Sequence, residues 1–221
     1  MNILADLKDA RGIQSLYRGL ELRPCGLVVR NCLIAIAVIL LSPLFVGIGL
    51  LIKLNDGGPI LHIARRMGRH GRTFGLFKFR TMVVGAAAIG PGVTGATDAR
   101  VTRIGAFLRR MKLDELPQLV NVLRGEMELV GPRPEDPRYL PYYTRDQLRV
   151  LDVGPGITSP ASIAYADESQ ILVGDGWESI YVSEVLPTKL DMELETLRER
   201  SLWEETREVL HTLWALAQRN T

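Results

Sequence analysis

Residues 32–52, CLIAIAVILLSPLFVGIGLLI, run for 21 positions without one charged side chain. As an α-helix rising about 1.5 Å per residue, such a run is roughly 30 Å long, the thickness of a bilayer's hydrocarbon core. Helices inside soluble domains seldom extend so far without a polar face. A cleaved secretory signal fits poorly, because the run starts late, is long and lacks a small-residue cleavage site. Ser42-Pro43 stands in the middle of the run. Proline removes a backbone donor and clashes with the preceding turn, so a kink is expected there. Both flanks are basic: Arg18, Arg23 and Arg30 precede the run, and Lys53, Arg65, Arg66 and Arg69 follow it. Charge asymmetry therefore selects no crossing direction. A helix that enters, bends and leaves on one side satisfies both flanks, and so does a Pro-kinked span.

The rest of the chain divides by charge. Over 221 residues the net charge is only +2, yet residues 53–138 carry 15 basic and 8 acidic side chains, and residues 139–221 carry 7 and 14. The basic middle suits an anionic ligand. Interspersed acids and the lack of any nucleic-acid motif argue against a nucleic-acid binder. Hydrophobic residues at 47% and charged residues at 24% exclude a disordered or collagen-like chain. Cys25 and Cys32 make no disulfide scaffold, and three scattered histidines (His62, His70, His211) offer no zinc constellation.

Residues 59–64 and 73–82 read as strands around a polar basic loop at 65–72. Residues 83–99 are small and Gly-rich, without the spacing of a dinucleotide or P-loop site. A helix is expected from Arg103, with Ile104, Phe107, Leu108 and Met111 on one face. A second is expected from near Asp114, striped by Leu116, Leu119, Val120 and Leu123 and stopped at Gly125. Residues 131–141, GPRPEDPRYLP, must be ordered but irregular. Residues 188–218 read as mostly helical, with Leu190, Leu194, Leu197, Trp203, Leu210, Leu213 and Trp214 forming a face that packs on the domain or, through the tryptophans, meets an interface.

Leu113-Asp114-Glu115-Leu116-Pro117-Gln118-Leu119 is the most informative unit. An acid at a helix start can simply cap it, accepting backbone N–H bonds and complementing the dipole. One acid suffices for that, and here there are two. Ionised carboxylates beside a cluster of arginines are also what a nucleophile or a hard-cation site on a phosphate ester requires.

Several segments in order carry a resemblance. Ser42-Pro43 within an apolar segment is followed by Lys78-Phe79-Arg80-Thr81-Met82, then by residues 98–105 (DARVTRIG), then by LDELPQL with NVLRGEM at 121–127. Leu129-Val130-Gly131-Pro132-Arg133-Pro134 and Pro155-Gly156-Ile157-Thr158 complete the series. Over roughly residues 28–215 the chain resembles the bacterial sugar transferases, in their small monotopic phosphoglycosyl transferase form. The resemblance implies an enzyme that moves a sugar-1-phosphate from a UDP-sugar to a polyprenol phosphate, usually undecaprenyl phosphate, and releases UMP. This is the first membrane step of glycoconjugate or exopolysaccharide assembly. It implies an α/β fold, mainly helical with a small sheet, and an N-terminal re-entrant membrane helix broken at Ser42 and Pro43. The expected organisation is an amphipathic cytoplasmic segment at 1–30, the membrane-embedded helix at 31–54, and a catalytic domain at 55–221 on the cytoplasmic face of the bacterial inner membrane.

By the same resemblance Asp114 is the nucleophile, giving a phosphosugar-enzyme intermediate, and Asp114 and Glu115 bind Mg²⁺. Arg133, Arg109, Arg80, Lys78 and Pro132 are the candidate substrate-binding residues. Attack of a carboxylate on a diphosphate needs such cations to neutralise charge. Membrane lipid, downstream glycosyltransferases and a second copy of the chain are the implied partners, and nucleic acid is not. A rival from another class is a catalytically silent membrane scaffold, against which the intact dyad argues. The chain departs from the family pattern at Arg30-Asn31, which lacks a following acid, at Glu128, at Gly154, and at Ser159-Pro160-Ala161-Ser162. The region 154–168 is where sugar preference carries over least safely.

Overall fold

The computed structural model describes residues 24–90, 93–95, 98–172 and 176–199. The expectations for residues 1–23, and those on Trp203 and Trp214, lie outside this range. The apolar run forms two helices, α1 (Pro24–Leu40) and α2 (Ser42–Asp56), bent by 52° at a one-residue break. Pro43 causes the break, because it has no N–H to offer the Ile39 carbonyl four residues back. The Ser42 hydroxyl donates to that carbonyl instead, at 2.7 Å. Among the described residues no single helix is long and apolar enough to cross a membrane, but the bent pair together has the length and composition. One side of the pair exposes Leu33, Ile36, Ile39, Leu40, Val46, Leu50, Leu51 and Leu54, while Ile34, Ile48 and Ile52 are buried.

The buried stripe continues into the domain. Ile34 packs with Leu76, Val122 and Met127. Ile48 and Ile52 pack with Phe79 and Leu108, and Phe45 meets Phe79 edge to face at 5.6 Å. Each such fully buried aliphatic side chain contributes about 1.5–3 kcal/mol relative to exposure. Polar ties reinforce the packing. Arg80, 7% exposed, donates to Asp56 (2.6 Å from Nη1), to the Pro59 carbonyl (2.6 Å) and to the Met82 carbonyl (3.2 Å). Arg30 on α1 pairs with Glu128.

β1 (Leu61–Met67) and β2 (Thr73–Phe79) form an antiparallel hairpin in which Leu61 faces Phe79 and Met67 faces Thr73. The strand runs three residues further than the sequence suggested, since Arg65 and Met67 pair across the ladder, and the turn is confined to Gly68–Gly71. β2 ends beside the bridge Met82–Val101, which leads through the cap Thr102 into α3 (Arg103–Arg110). Thr102 accepts from the Gly105 N–H at 2.9 Å. After a short 3₁₀ turn at Leu113–Glu115, α4 (Gln118–Leu123) docks on the edge of β2 through Asn121. That buried amide accepts from Phe77 N–H (3.0 Å) and donates to the Gly75 carbonyl (2.8 Å), serving β2 as a partner strand would.

β3 (Glu128–Val130) pairs in parallel with β4 (Gly156–Thr158), so the small sheet is two separate two-stranded sheets. A Cβ on Gly156 would lie 2.0 Å from the Gly131 nitrogen, so both glycines are required for the chains to touch. Short helices α5 (Pro160–Ala164) and α6 (Glu168–Ile171) follow. The last described helix starts as α7 (Trp177–Ile180), passes through a π-helical turn at Tyr181–Val185 and continues as α8 (Leu186–Glu199). Leu186, Leu190, Leu194 and Leu197 join Tyr139, Val150, Leu151, Tyr181 and Val185 in the largest apolar cluster, so this part of the amphipathic face packs on the domain. The whole is mainly helical with small sheets, consistent with an α/β class.

Candidate active site

The dyad does not start a helix. Lys112 takes a left-handed backbone (φ 55°), which redirects the chain after α3 and sets Leu113–Glu115 into its own turn. α4 begins only at Gln118, with Pro117 as its N-terminal cap residue and no side chain bonding the first N–H groups. The expectation that Asp114 stands at or just inside a helix N-cap is therefore corrected. Asp114 lies inside the 3₁₀ turn, with Glu115, Leu116 and Pro117 between it and the helix, and a capping role accounts for neither acid.

The two carboxylates have opposite surroundings. Glu115 Oε1 accepts from Lys78 Nζ at 2.9 Å and from Arg133 Nη2 at 2.6 Å, and Oε2 lies 3.5 Å from Arg133 Nη1. Burial pushes the Glu115 carboxyl up, but Arg133 and Lys78 outweigh it and hold the group well below the usual range. The Arg133 guanidinium is raised in turn, chiefly by Glu115. Asp114 is 7% exposed, and among the described residues no donor reaches its carboxylate. Burial, then the adjacent Glu115 charge, push the Asp114 carboxyl up, and Lys78, Arg109 and Lys112 pull the other way.

Each cation has a structural reason for its position. Lys78 comes from β2, opposite His62 across the hairpin, and burial lowers its basicity. Arg109, on the last turn of α3, is held by its Nε–H to Thr81 Oγ1 at 2.8 Å, and Asp114 is the strongest charge acting on it. Lys112 reaches across to the Ala166 carbonyl at 3.1 Å. Arg133 follows β3, and the Pro132 carbonyl before it accepts from Gly156 N–H at 2.9 Å, so the parallel pair fixes the loop that carries it. Lys78, Arg109, Lys112 and Arg133 thus act together on the two carboxylates, and such cations suit a phosphate. Arg80, a candidate on the same footing from sequence, is not brought to the dyad. Its guanidinium is committed to Asp56, Pro59 and Met82 at the foot of α2. Ser42 and Pro43 form the helix break, away from the chemistry.

Among the described residues no group of three or more His, Cys, Asp or Glu side chains could hold a metal alone. The dyad offers two carboxylates, of which Glu115 already serves Arg133 and Lys78. That donor set fits Mg²⁺ in the manner in which one or two carboxylates and substrate phosphate oxygens share the ion. Sequence reasoning did not single out Glu135, Lys189 and Glu193. The last two had a signal: they interrupt the apolar face at positions three residues after Leu186 and Leu190, where a charge is out of place.

Residues 27–219 match the family model described as "Bacterial sugar transferase". The chain is 37% identical over 147 residues to the UDP-N-acetylgalactosamine-undecaprenyl-phosphate N-acetylgalactosaminephosphotransferase of Aeromonas hydrophila, covering 62% of this chain and 34% of that protein. It is 35% identical over 188 residues to the UDP-glucose:undecaprenyl-phosphate glucose-1-phosphate transferase of Escherichia coli (strain K12), covering 82% of this chain and 38% of the relative. Against the exopolysaccharide production protein ExoY of Rhizobium meliloti (strain 1021) it is 36% identical over 163 residues, 67% of this chain and 72% of ExoY. This chain thus spans about a third of the length of the first two relatives and most of the third. With the apolar pair, the ordered motifs and the match over nearly its full length, the chain belongs to the bacterial sugar transferase family.

Proposed function

We propose that this protein transfers a sugar-1-phosphate from a UDP-sugar to undecaprenyl phosphate, releasing UMP, by way of a phosphosugar–Asp114 intermediate. The observation that carries the reading is the asymmetry of the dyad: Glu115 is held by Arg133 and Lys78, while its neighbour Asp114 is buried and, among the described residues, has no donor on its carboxylate. A carboxylate kept free in a pocket of cations is poised for attack on a phosphorus rather than for holding the fold. An Asp114 oxygen forms a bond to the β-phosphorus as the bond from that phosphorus to the α-phosphate oxygen breaks, and UMP departs with the electron pair. An oxygen of the polyprenol phosphate then attacks the same phosphorus and displaces the Asp114 carboxylate. Arg133 and Arg109 neutralise the phosphate oxygens, and Glu115 keeps Arg133 and Lys78 aimed at them. Mg²⁺, when bound, would add charge neutralisation at those oxygens and favour the ionised form of Asp114.

The acceptor's phosphate stays in the headgroup layer, so the nucleophile has to be held at that depth. The bent pair α1–α2 serves this as a re-entrant helix in the cytoplasmic leaflet of the inner membrane, with the catalytic part on the cytoplasmic face. The relatives' names support undecaprenyl phosphate as acceptor and a UDP-sugar as donor. The test is intact-protein mass spectrometry after incubation with Mg²⁺ and a panel of UDP-sugars, without acceptor, beside Asp114→Asn. A gain of one phosphosugar that the variant lacks is expected, and it names the sugar. UMP release on adding acceptor, with no adduct under any donor, would refute the covalent route and leave Asp114 as a metal ligand.

A further inference from the structure

The loop that carries Arg133 is gripped from behind by one face of α8. Glu193 is 4% exposed, and its Oε1 accepts from the Ser159 hydroxyl at 2.5 Å and from the Arg133 backbone N–H at 3.4 Å. One turn earlier, Lys189 is 5% exposed and donates to Glu135 Oε1 at 3.1 Å, to Glu168 Oε2 at 2.7 Å and to the Tyr181 hydroxyl at 3.5 Å. Glu135 lies two residues beyond Arg133, and its carbonyl accepts from Met67 N–H at 2.9 Å. Two charges at i and i+4 of α8 therefore hold the chain at Arg133 and just after it, while the guanidinium on the far side meets Glu115. Burying charges in this way costs stability that an apolar contact would not. The return is a fixed geometry, and misplacing a catalytic group by about 1 Å can cost on the order of a hundredfold in rate.

We propose that Glu193 and Lys189 are positioning residues that hold Arg133 at the dyad, so that α8 sets the site's affinity for the donor's diphosphate. The proposal rests on the reading of Arg133 as a phosphate-binding residue. The test uses the full chain in detergent with Mg²⁺ and UDP as the probe, since UDP is common to every UDP-sugar donor. Binding is measured by calorimetry in the wild type, Glu193→Ala, Glu193→Gln, Lys189→Met, Arg133→Met and the double variant Glu193→Ala/Arg133→Met, with thermal unfolding run alongside.

Glu193→Ala and Lys189→Met are expected to weaken UDP binding about tenfold, the effect of one lost hydrogen bond to a charged group. Glu193→Gln, which keeps an acceptor oxygen, should recover most of the loss. In the Arg133→Met background Glu193→Ala should cost nothing further, because its effect passes through the arginine. An equal loss in both backgrounds, or a lowered unfolding temperature with unchanged UDP affinity, would overturn the proposal and leave a structural role. If Glu193→Ala does not fold, the double variant Lys189→Met/Arg133→Met is read against Arg133→Met and Lys189→Met by the same criterion. Arg133→Met binding UDP as tightly as the wild type would overturn the arginine's phosphate role and the positioning with it. The Asp114 adduct measurement would stand apart from that result.

Discussion

Gly156→Ala tests how the Arg133 loop is held. A Cβ there would sit 2.0 Å from the Gly131 nitrogen and 2.6 Å from the Gly131 Cα and carbonyl oxygen. Ordinary contact begins at 3.4 Å, and every atom in the way is backbone, so β3 and β4 must move apart rather than a side chain turn aside. The separation breaks the bond from Gly156 N–H to the Pro132 carbonyl and strains that from Gly131 N–H to the Thr158 carbonyl, each 2.9 Å long. Overpacking of this kind costs about 1–3 kcal/mol, and two impaired buried backbone bonds add about 1 kcal/mol each. The total, about 3–5 kcal/mol, is a large part of a domain's stability. Arg133 lies one residue past Pro132, so any protein that still folds should have lost the arginine's aim and turn over about a hundredfold more slowly. Urea unfolding and UMP release measure the two effects. Gly47→Ala is the control, because the added methyl meets nothing within 4 Å in the interior of α2 and should be neutral or stabilising by about 0.5–1 kcal/mol. A Gly156→Ala protein that unfolds and turns over like the wild type would refute the close-approach argument.

Arg80→Met should lower the unfolding temperature, because it removes the ties to Asp56 and to the Pro59 and Met82 carbonyls, while leaving UDP affinity unchanged. A selective loss of UDP affinity in a well-folded Arg80→Met protein would return Arg80 to the substrate site. Arg30→Glu and Glu128→Arg should each destabilise by up to about 1 kcal/mol, since Glu128 is 46% exposed, and the double swap should restore most of the loss in thermal unfolding. Additive losses in the double swap would show that the pair does not couple α1 to β3. Burial pushes the Glu135 carboxyl up, but Lys189 and Arg66 outweigh it and hold the group below its ordinary value of 4.5. Its stabilisation is therefore complete above pH 4.5 and is lost as pH falls through the depressed folded value. Thermal unfolding of the wild type should fall off in that acid range, and Lys189→Met should flatten the fall. A steeper fall in the variant would contradict the assignment.

The sequence carried what is local and lost what depends on long-range geometry. Ser42-Pro43 marked the break in the apolar run because proline's missing N–H acts on its own helix. The alternation in residues 73–82 marked β2, which ends at Phe79, but the hairpin's length depended on cross-strand pairing of Arg65 and Met67, whose polar and flexible side chains read as loop. The dyad was legible as two adjacent acids near cations. Its asymmetry was not, because Lys78 and Arg133 come from 37 and 18 residues away and converge on only one of them. Arg80 was grouped with Lys78, two residues away in sequence, but the strand ends at Phe79 and Arg80 turns to Asp56.

The departures at Arg30 and Glu128 resolve together. Ninety-eight residues apart in sequence, they form one ion pair between α1 and β3, the strand that leads to Arg133. With the clamp from Arg80 to Asp56 and the contact of Phe45 with Phe79, it makes three ties between the bent apolar pair and the elements that carry the dyad's cations. Two of the three apolar clusters also draw buried residues from α1 or α2. The pair is therefore part of the fold that shapes the site as well as an apolar attachment. A chain cut before residue 55 would leave Leu76, Phe79, Leu108 and Val122 without a covering layer, exposing the floor beneath β2 and the turn at Leu113–Glu115. Such a fragment would lose the geometry of Lys78 and Arg109.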